Sequence, residues 1–168
     1  MIILGIDPGL QKTGWGIIEK QGNRLSYLQS GLVKTNPKAA LAKRLADLHE
    51  GLANIIKEWN PDTTAIEETF VNNNAVSTLK LGQARGALLT VPALHGLECA
   101  EYATNKIKKT VVGVGHAGKQ QVDIMIKMLL PTCGQISEDE ADALAVAITH
   151  AHYGTHNKQL RKMLSESA

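Results

Sequence analysis

Four carboxylates stand where chemistry would need them. Asp7 ends the apolar run Ile2-Ile3-Leu4-Gly5-Ile6, Glu67 ends the short run Thr63-Thr64-Ala65-Ile66, and Asp139 and Asp142 open the last helical segment. Three residues apart on a helix, Asp139 and Asp142 lie within roughly 60° of one another around its axis. If the two strands are neighbours and the helix packs on their sheet, all four acids meet at one rim. Like charges gathered at a poorly solvated site repel and need protons or cations. Oxygen-only donors, with no cysteine and no spaced histidines among them, suit a hard ion, Mg²⁺ or Mn²⁺, rather than zinc. Two such ions roughly 3.5 to 4 Å apart would stabilise the attacking and leaving oxygens of an in-line phosphoryl displacement. Each acid alone has a plainer use: an Asp before Pro-Gly forms a turn, a strand-end Glu is solvated, and first-turn acids favour the helix dipole. Two neighbourhoods favour the joint reading. Asp7 ends a very apolar strand, and Asp142 lies among Ala141, Ala143, Leu144 and Ala145.

The elements that must position these acids are legible from periodicity. Ile2–Asp7 reads as a buried strand stopped by Pro8-Gly9. Trp15–Glu19 and Leu25–Val33, split by Gln21-Gly22-Asn23, extend it into an antiparallel meander. Leu41, Leu45, Leu48, Leu52, Ile55 and Ile56 recur at helical spacing over Ala40–Trp59, and Asn60-Pro61 ends that helix. After the Glu67 strand and the polar Asn72-Asn73-Asn74, a helical pattern runs through Leu79, Ala84, Leu88 and Leu89. Its small residues, Gly82, Ala84, Gly86 and Ala87, suit close packing within the domain or across a dimer. Leu97–Tyr102 reads as another strand. Thr104 is placed to cap a short helix carrying Ile107 and Val111 and closed by Gly113. A further helix spans Lys119–Leu130 before Pro131. Ser137-Glu138-Asp139-Glu140 matches the S-x-x-E capping box of a last helix reaching Tyr153, after which 155–168 reads as a polar, flexible tail to a single domain over 1–154. Strands first, then alternating helices and strands, make an α/β chain with a mixed sheet and helices on its faces.

Composition narrows the class. The chain has 168 residues, 43% apolar and 20% charged, enough for one domain with a real core. No apolar stretch approaches the roughly 20 residues of a membrane span, and Met1 leads straight into a strand, so a cytoplasmic protein is expected. Cys99 and Cys133 are far apart and read as free thiols. A formal charge of +2 does not by itself mark a nucleic-acid binder, although Lys106, Lys108 and Lys109 cluster. Asp7-Pro8-Gly9 with Thr13-Gly14 also resembles the first phosphate loop of actin-like kinases and chaperone ATPases. Those folds need a second lobe for which this chain is too short, and no G-x-x-x-x-G-K-[ST] is present.

Five segments, in order along the chain, resemble the signature segments of the RuvC family of crossover (Holliday) junction endonucleases. They are Gly5-Ile6-Asp7-Pro8-Gly9, Ala65-Ile66-Glu67-Glu68-Thr69-Phe70, Leu79-Lys80-Leu81-Gly82-Gln83-Ala84-Arg85-Gly86, Lys108-Lys109-Thr110-Val111-Val112-Gly113 and Asp139-Glu140-Ala141-Asp142-Ala143-Leu144. The resemblance implies a ribonuclease-H-like fold with a central five-stranded mixed sheet flanked by helices, and a homodimer with two equivalent sites. It implies that Asp7, Glu67, Asp139 and Asp142 are the catalytic carboxylates and hold two Mg²⁺ per subunit, with Mn²⁺ able to substitute. The implied reaction is paired, symmetric nicking of strands of like polarity in a four-way junction, leaving 5′-phosphate and 3′-hydroxyl ends in recombination and repair. Sequences containing a TT step are the implied preference.

By the same resemblance Phe70 stacks on an unpaired base at the junction centre, Lys108 and Lys119 contact DNA, and the branch-migration proteins RuvA and RuvB are partners. Phe70 read alone would serve equally as a hydrophobic staple for the next helix. Departures are Glu68, where relatives often carry glutamine, and Glu138 and Glu140, which flank Asp139 but point roughly 100° away from it. His116 is left without a role. The competing readings are a nuclease of the same fold acting on RNA precursors and a non-catalytic junction-binding protein.

Overall fold

The computed structural model describes residues 1–68, 74–115 and 118–166, side chains included except at 119 and 155–166. Among these residues five strands form one sheet: β1 (Ile2–Asp7), β2 (Lys12–Gln21), β3 (Arg24–Lys34), β4 (Thr63–Glu67) and β5 (Cys99–Tyr102). The helices are α1 (Leu41–Trp59), α2 (Ala75–Leu94), α3 (Thr104–Val112), α4 (Lys119–Leu129) and α5 (Glu138–Glu166). Strand order is β3-β2-β1-β4-β5. The first three strands make the antiparallel meander, and β4 and β5 add in parallel after helical crossovers. This is the mixed five-stranded sheet expected from the sequence. Cys99 and Cys133 are free thiols, as expected, and among the described residues no helix is long and apolar enough to cross a membrane.

Side-chain alternation along the two central strands sorts the core. Leu4 and Ile6 of β1, with Ile66 of β4, pack under Leu48, Leu52, Ile55 and Ile56 of α1 and Ala84, Leu88 and Val91 of α2. Ile3 and Ala65 face the other way, into a core built with α3, α4 and the Ala141–Ala151 face of α5. With a period of two, Asp7 shares the side of Ile3, and Glu67 shares the side of Ala65. Both acids therefore project from the sheet face that α5 covers.

The descent of α5 onto that face depends on missing side chains. A Cβ on Gly5 would sit 2.2 Å from the Ala143 carbonyl oxygen, and one on Gly16, the β2 partner of Gly5, would sit 2.6 Å from Leu144 Cδ2. Farther along, His150 of α5 is buried between Thr63 Oγ1, 2.9 Å from its Nε2, and the Tyr102 hydroxyl, 2.9 Å from its Nδ1. This buried histidine thus ties α5 to β4 and β5 with both ring nitrogens satisfied.

Two local expectations are corrected. The helix does not end at Gly154 but runs on to Glu166; an interior glycine costs about 1 kcal/mol relative to alanine without breaking the hydrogen-bond ladder. Thr104 does not cap α3. The N-cap is Ala103, with no side-chain cap bond, and the Thr104 hydroxyl turns elsewhere.

Candidate active site

Parallel pairing of β1 with β4 puts Ile6 opposite Ile66, so the next residues, Asp7 and Glu67, emerge side by side at the same sheet end. Across the other edge of β1, Asp7 pairs with Gly14 of β2. The backbone of Asp139 rests on that glycine: a Cβ there would lie 2.0 Å from the Asp139 carbonyl oxygen. Asp142, one turn further, lines a cavity of about 120 Å³ with Glu67, Thr104, Lys108 and Val122. The four acids singled out in the sequence therefore converge at one rim.

Their electrostatics follow from that crowding. Burial first, then the charges of Glu67, Asp142 and Asp139, push the Asp7 carboxyl up to about 8, and its proton bonds to Glu67. Burial also raises Glu67, against the opposing pull of hydrogen bonds with Thr104 and Asp7 and of the Lys108 ammonium. A cation bound among these carboxylates would relieve the same repulsion that raises Asp7. Among the described residues no three acidic, cysteine or histidine side chains already close around one point. The chemistry of the donor set nevertheless fits a hard divalent ion: all oxygen, jointly anionic, and gathered at one end of the sheet.

Further side chains hold this arrangement. The Thr104 hydroxyl donates to Glu67 Oε1. Arg85 Nε donates to the Glu67 carbonyl oxygen at 3.2 Å while its Nη2 pairs with Glu101. At the start of α5, Glu140 Oε2 accepts from the Ser137 backbone N at 2.9 Å and its hydroxyl at 2.6 Å, and Glu140 Oε1 accepts from Ser30 of β3 at 2.9 Å. Partial burial opposes ionisation of Glu140, but these bonds and Lys34 outweigh it and hold the carboxyl below its usual range. Glu140 is thus a clamp between the start of α5 and β3.

Glu68 spends its backbone N–H on the Tyr102 carbonyl oxygen at 2.9 Å. Glu138 lines a separate groove with Gln120, Asp123 and Lys127 beside Asp142. Of the basic residues, Lys108 is half-buried and acts on Glu67. Lys119 is the first residue of α4, and its side chain lies outside the described set, as do Phe70 and His116 altogether. The sequence reading passed over Gly16 and gave Gly14 and Thr104 other roles, in a phosphate-loop resemblance and as a helix cap. The glycines left a signal, since glycine inside a β-strand marks close backbone approach; the partner of a hydroxyl fixed only by tertiary packing left none.

The family model described as crossover junction endodeoxyribonuclease RuvC matches residues 3–150, from β1 into α5. The chain belongs to the RuvC family of crossover junction endodeoxyribonucleases. The matched span contains all four acids. The RuvC of Nitrobacter hamburgensis is 56% identical over 151 residues, covering 90% of this chain and 89% of that protein. The RuvC of Paramagnetospirillum magneticum is 54% identical over 162 residues, covering 96% and 98%. Among solved structures, T. thermophilus RuvC in complex with a Holliday junction substrate superposes with a TM-score of 0.86 at 30% identity, over 94% of this chain and 96% of that one.

Proposed function

We propose that this chain is a metal-dependent endonuclease that resolves four-way DNA junctions by paired nicks, with Asp7, Glu67, Asp139 and Asp142 as its catalytic and metal-holding carboxylates. The observation that carries the reading is the convergence of these four acids at one sheet end, where burial and then the neighbouring carboxylates push the Asp7 carboxyl up to about 8. The resemblance of the whole fold to a RuvC captured with its junction substrate points to the same class of DNA. Two Mg²⁺ per subunit, replaceable by Mn²⁺, would supply the activated water and neutralise charge on the scissile phosphate. For that role Asp7 and Glu67 would both be ionised and would hold the ion from the neighbouring ends of β1 and β4. Asp139 and Asp142 approach from the helix side, their spacing fixed by one helical turn. The reaction leaves 5′-phosphate and 3′-hydroxyl ends. Lys108, beside Glu67, and Lys119, opening α4, are assigned to the DNA backbone, and Phe70 to stacking on a base at the junction centre.

Paired cutting calls for two sites related by a two-fold axis. The helix α2 offers a face for a second copy. Val76, Leu79, Gln83, Gly86, Thr90 and Leu94 lie along one exposed stripe at helical spacing, and a Cβ on Gly86 would meet open space. We assign this stripe to the homodimer. Leu79→Glu is expected to sediment as a monomer and to make single rather than coincident nicks in a junction held on supercoiled DNA. A dimer that survives the change would move the interface elsewhere. RuvA and RuvB are the partners that would deliver the junction, in the cytoplasm.

The deciding experiment incubates the protein with a synthetic four-way junction, a matched linear duplex and a structured RNA, in Mg²⁺ and in EDTA. Symmetric nicks in the junction alone, only with the metal, are expected. Cleavage of the RNA instead would make it a ribonuclease, and tight junction binding without cutting would make it a scaffold. Backbone contacts by the lysines imply salt dependence, so Lys108→Ala should weaken junction binding and flatten the slope of log affinity against log salt by about one. An unchanged slope would remove Lys108 from the DNA face.

A further inference from the structure

Thr104 is the first residue of α3, the place where a threonine ordinarily serves its own helix. Here it does not. The N-cap is Ala103 and makes no side-chain cap bond, and the Thr104 hydroxyl instead donates to Glu67 Oε1, 37 residues away in sequence. The peptide unit of Glu67 is held separately, by Arg85 Nε on its carbonyl oxygen. One turn along α3, Lys108 lines the same small cavity as Thr104, Glu67 and Asp142. The α3 helix therefore presents a hydroxyl and an ammonium on one face toward a single carboxylate.

We propose that Thr104 is a positioning residue that fixes the orientation of the Glu67 carboxylate, and so sets how tightly the four-acid cluster binds a divalent ion. This rests on the reading of Glu67 as a metal-holding acid. The physical case is one of preorganisation. A glutamate side chain has three rotatable bonds, and at a strand end, crowded by other acids, repulsion favours swinging away. A donor on Oε1 anchors one oxygen, so less ordering of the carboxylate remains to be done when the ion arrives. A hydrogen bond to a ligating carboxylate commonly changes metal affinity by about 10-fold or more. The hydroxyl has no helix-capping duty to confuse the effect of its removal.

The test titrates Mg²⁺ alone into DNA-free protein and follows the rise in melting temperature, then repeats the titration with single-turnover cutting of a junction. Thr104→Val keeps the side-chain shape and removes the donor. Its Mg²⁺ midpoint is expected to rise by about 10-fold in both assays, with much of the cutting rate recovered at saturating Mg²⁺. Thr104→Ser restores the hydroxyl and should return both midpoints to within about 2-fold of wild type. If Thr104→Val does not fold, Thr104→Ala takes its place in the same comparison.

A midpoint unchanged in the valine variant overturns the proposal, as does a lower melting temperature in EDTA with no movement of the Mg²⁺ midpoint, which would make Thr104 a purely structural residue. Failure of the nuclease reading looks different. Wild type would then cut no junction at any Mg²⁺ concentration, while the DNA-free titration would still report whether Thr104 orders Glu67 for an ion.

Discussion

In Asp7→Asn, junction cutting is expected to fall by on the order of 10³-fold or more, while the protein in EDTA near pH 8 melts at a higher temperature than wild type. Both outcomes come from the same crowding. The Asp7 carboxyl has an ordinary value of 3.8 and is pushed up to about 8 in the fold, by burial first and then by Glu67, Asp142 and Asp139. Below about pH 4 the group is protonated in folded and unfolded chains alike, and it costs the fold nothing. Between the two values the unfolded chain releases the proton and the folded one keeps it, so stability falls as pH rises, by at most ~1.4 kcal/mol per pH unit from this one group. Above about 8 both forms are ionised and the loss levels off. Asparagine never ionises, so the variant escapes the decline and gains a few kcal/mol over metal-free wild type at the alkaline end.

Divalent ion reverses the comparison. Binding only to the folded state stabilises wild type by an amount that grows with the logarithm of ion concentration, whereas Asp7→Asn has lost an anionic ligand and gains little. Melting curves of both proteins from pH 4 to 9, in EDTA and in Mg²⁺, separate these effects. An Asp7→Asn protein no more stable than wild type in EDTA at pH 8 would mean that Asp7 is not under strain from its neighbours. Junction binding that persists in the variant would place the defect in chemistry rather than recognition. The pattern is a local case of stability given up for function.

Much of this site could be read before any coordinates. Asp7 and Glu67 end short apolar runs of strand length, and the Ser137-Glu138-Asp139-Glu140 box declares where the last helix begins; such signals are local, so they survive in one dimension. The order of the five signature segments carried the family and the sheet. Other features are invisible in that view for a physical reason. Whether Thr104 spends its hydroxyl on its own helix or on a carboxylate 37 residues earlier depends on how α3 lies across the end of β4, and capping propensity alone favours the wrong answer. Gly154 reads as a stop, yet α5 passes through it, because a glycine ends a helix only when the chain also turns there. The pairing of Glu140 with Ser30 likewise joins elements more than a hundred residues apart.

Gly14→Ala is expected to be strongly damaging although it replaces none of the acids themselves. Gly14 is the β2 residue paired with Asp7, and Asp139 lies directly over it, its carbonyl oxygen 2.0 Å, and its own Cβ 3.3 Å, from where an alanine Cβ would be built. No rotamer relieves the clash, because the obstacle is main chain. The sheet cannot yield easily, since β2 is paired on both sides, with β1 and β3. The start of α5 must therefore lift, against the Glu140 clamp to Ser137 and Ser30. Overpacking of this kind costs about 1 to 3 kcal/mol, which for a chain of this size lowers the melting temperature by up to about 10 °C. The functional loss should be larger than the stability loss implies. A displacement of about 1 Å at a catalytic group is enough for a rate loss on the order of 10²-fold, and here the displaced group is Asp139, with Asp142 one turn behind it. Single-turnover cutting measured well below the variant's melting temperature isolates this effect from unfolding. A Gly14→Ala protein that is destabilised but cuts at the wild-type rate would show that Asp139 can move without consequence, and would take it out of the catalytic set.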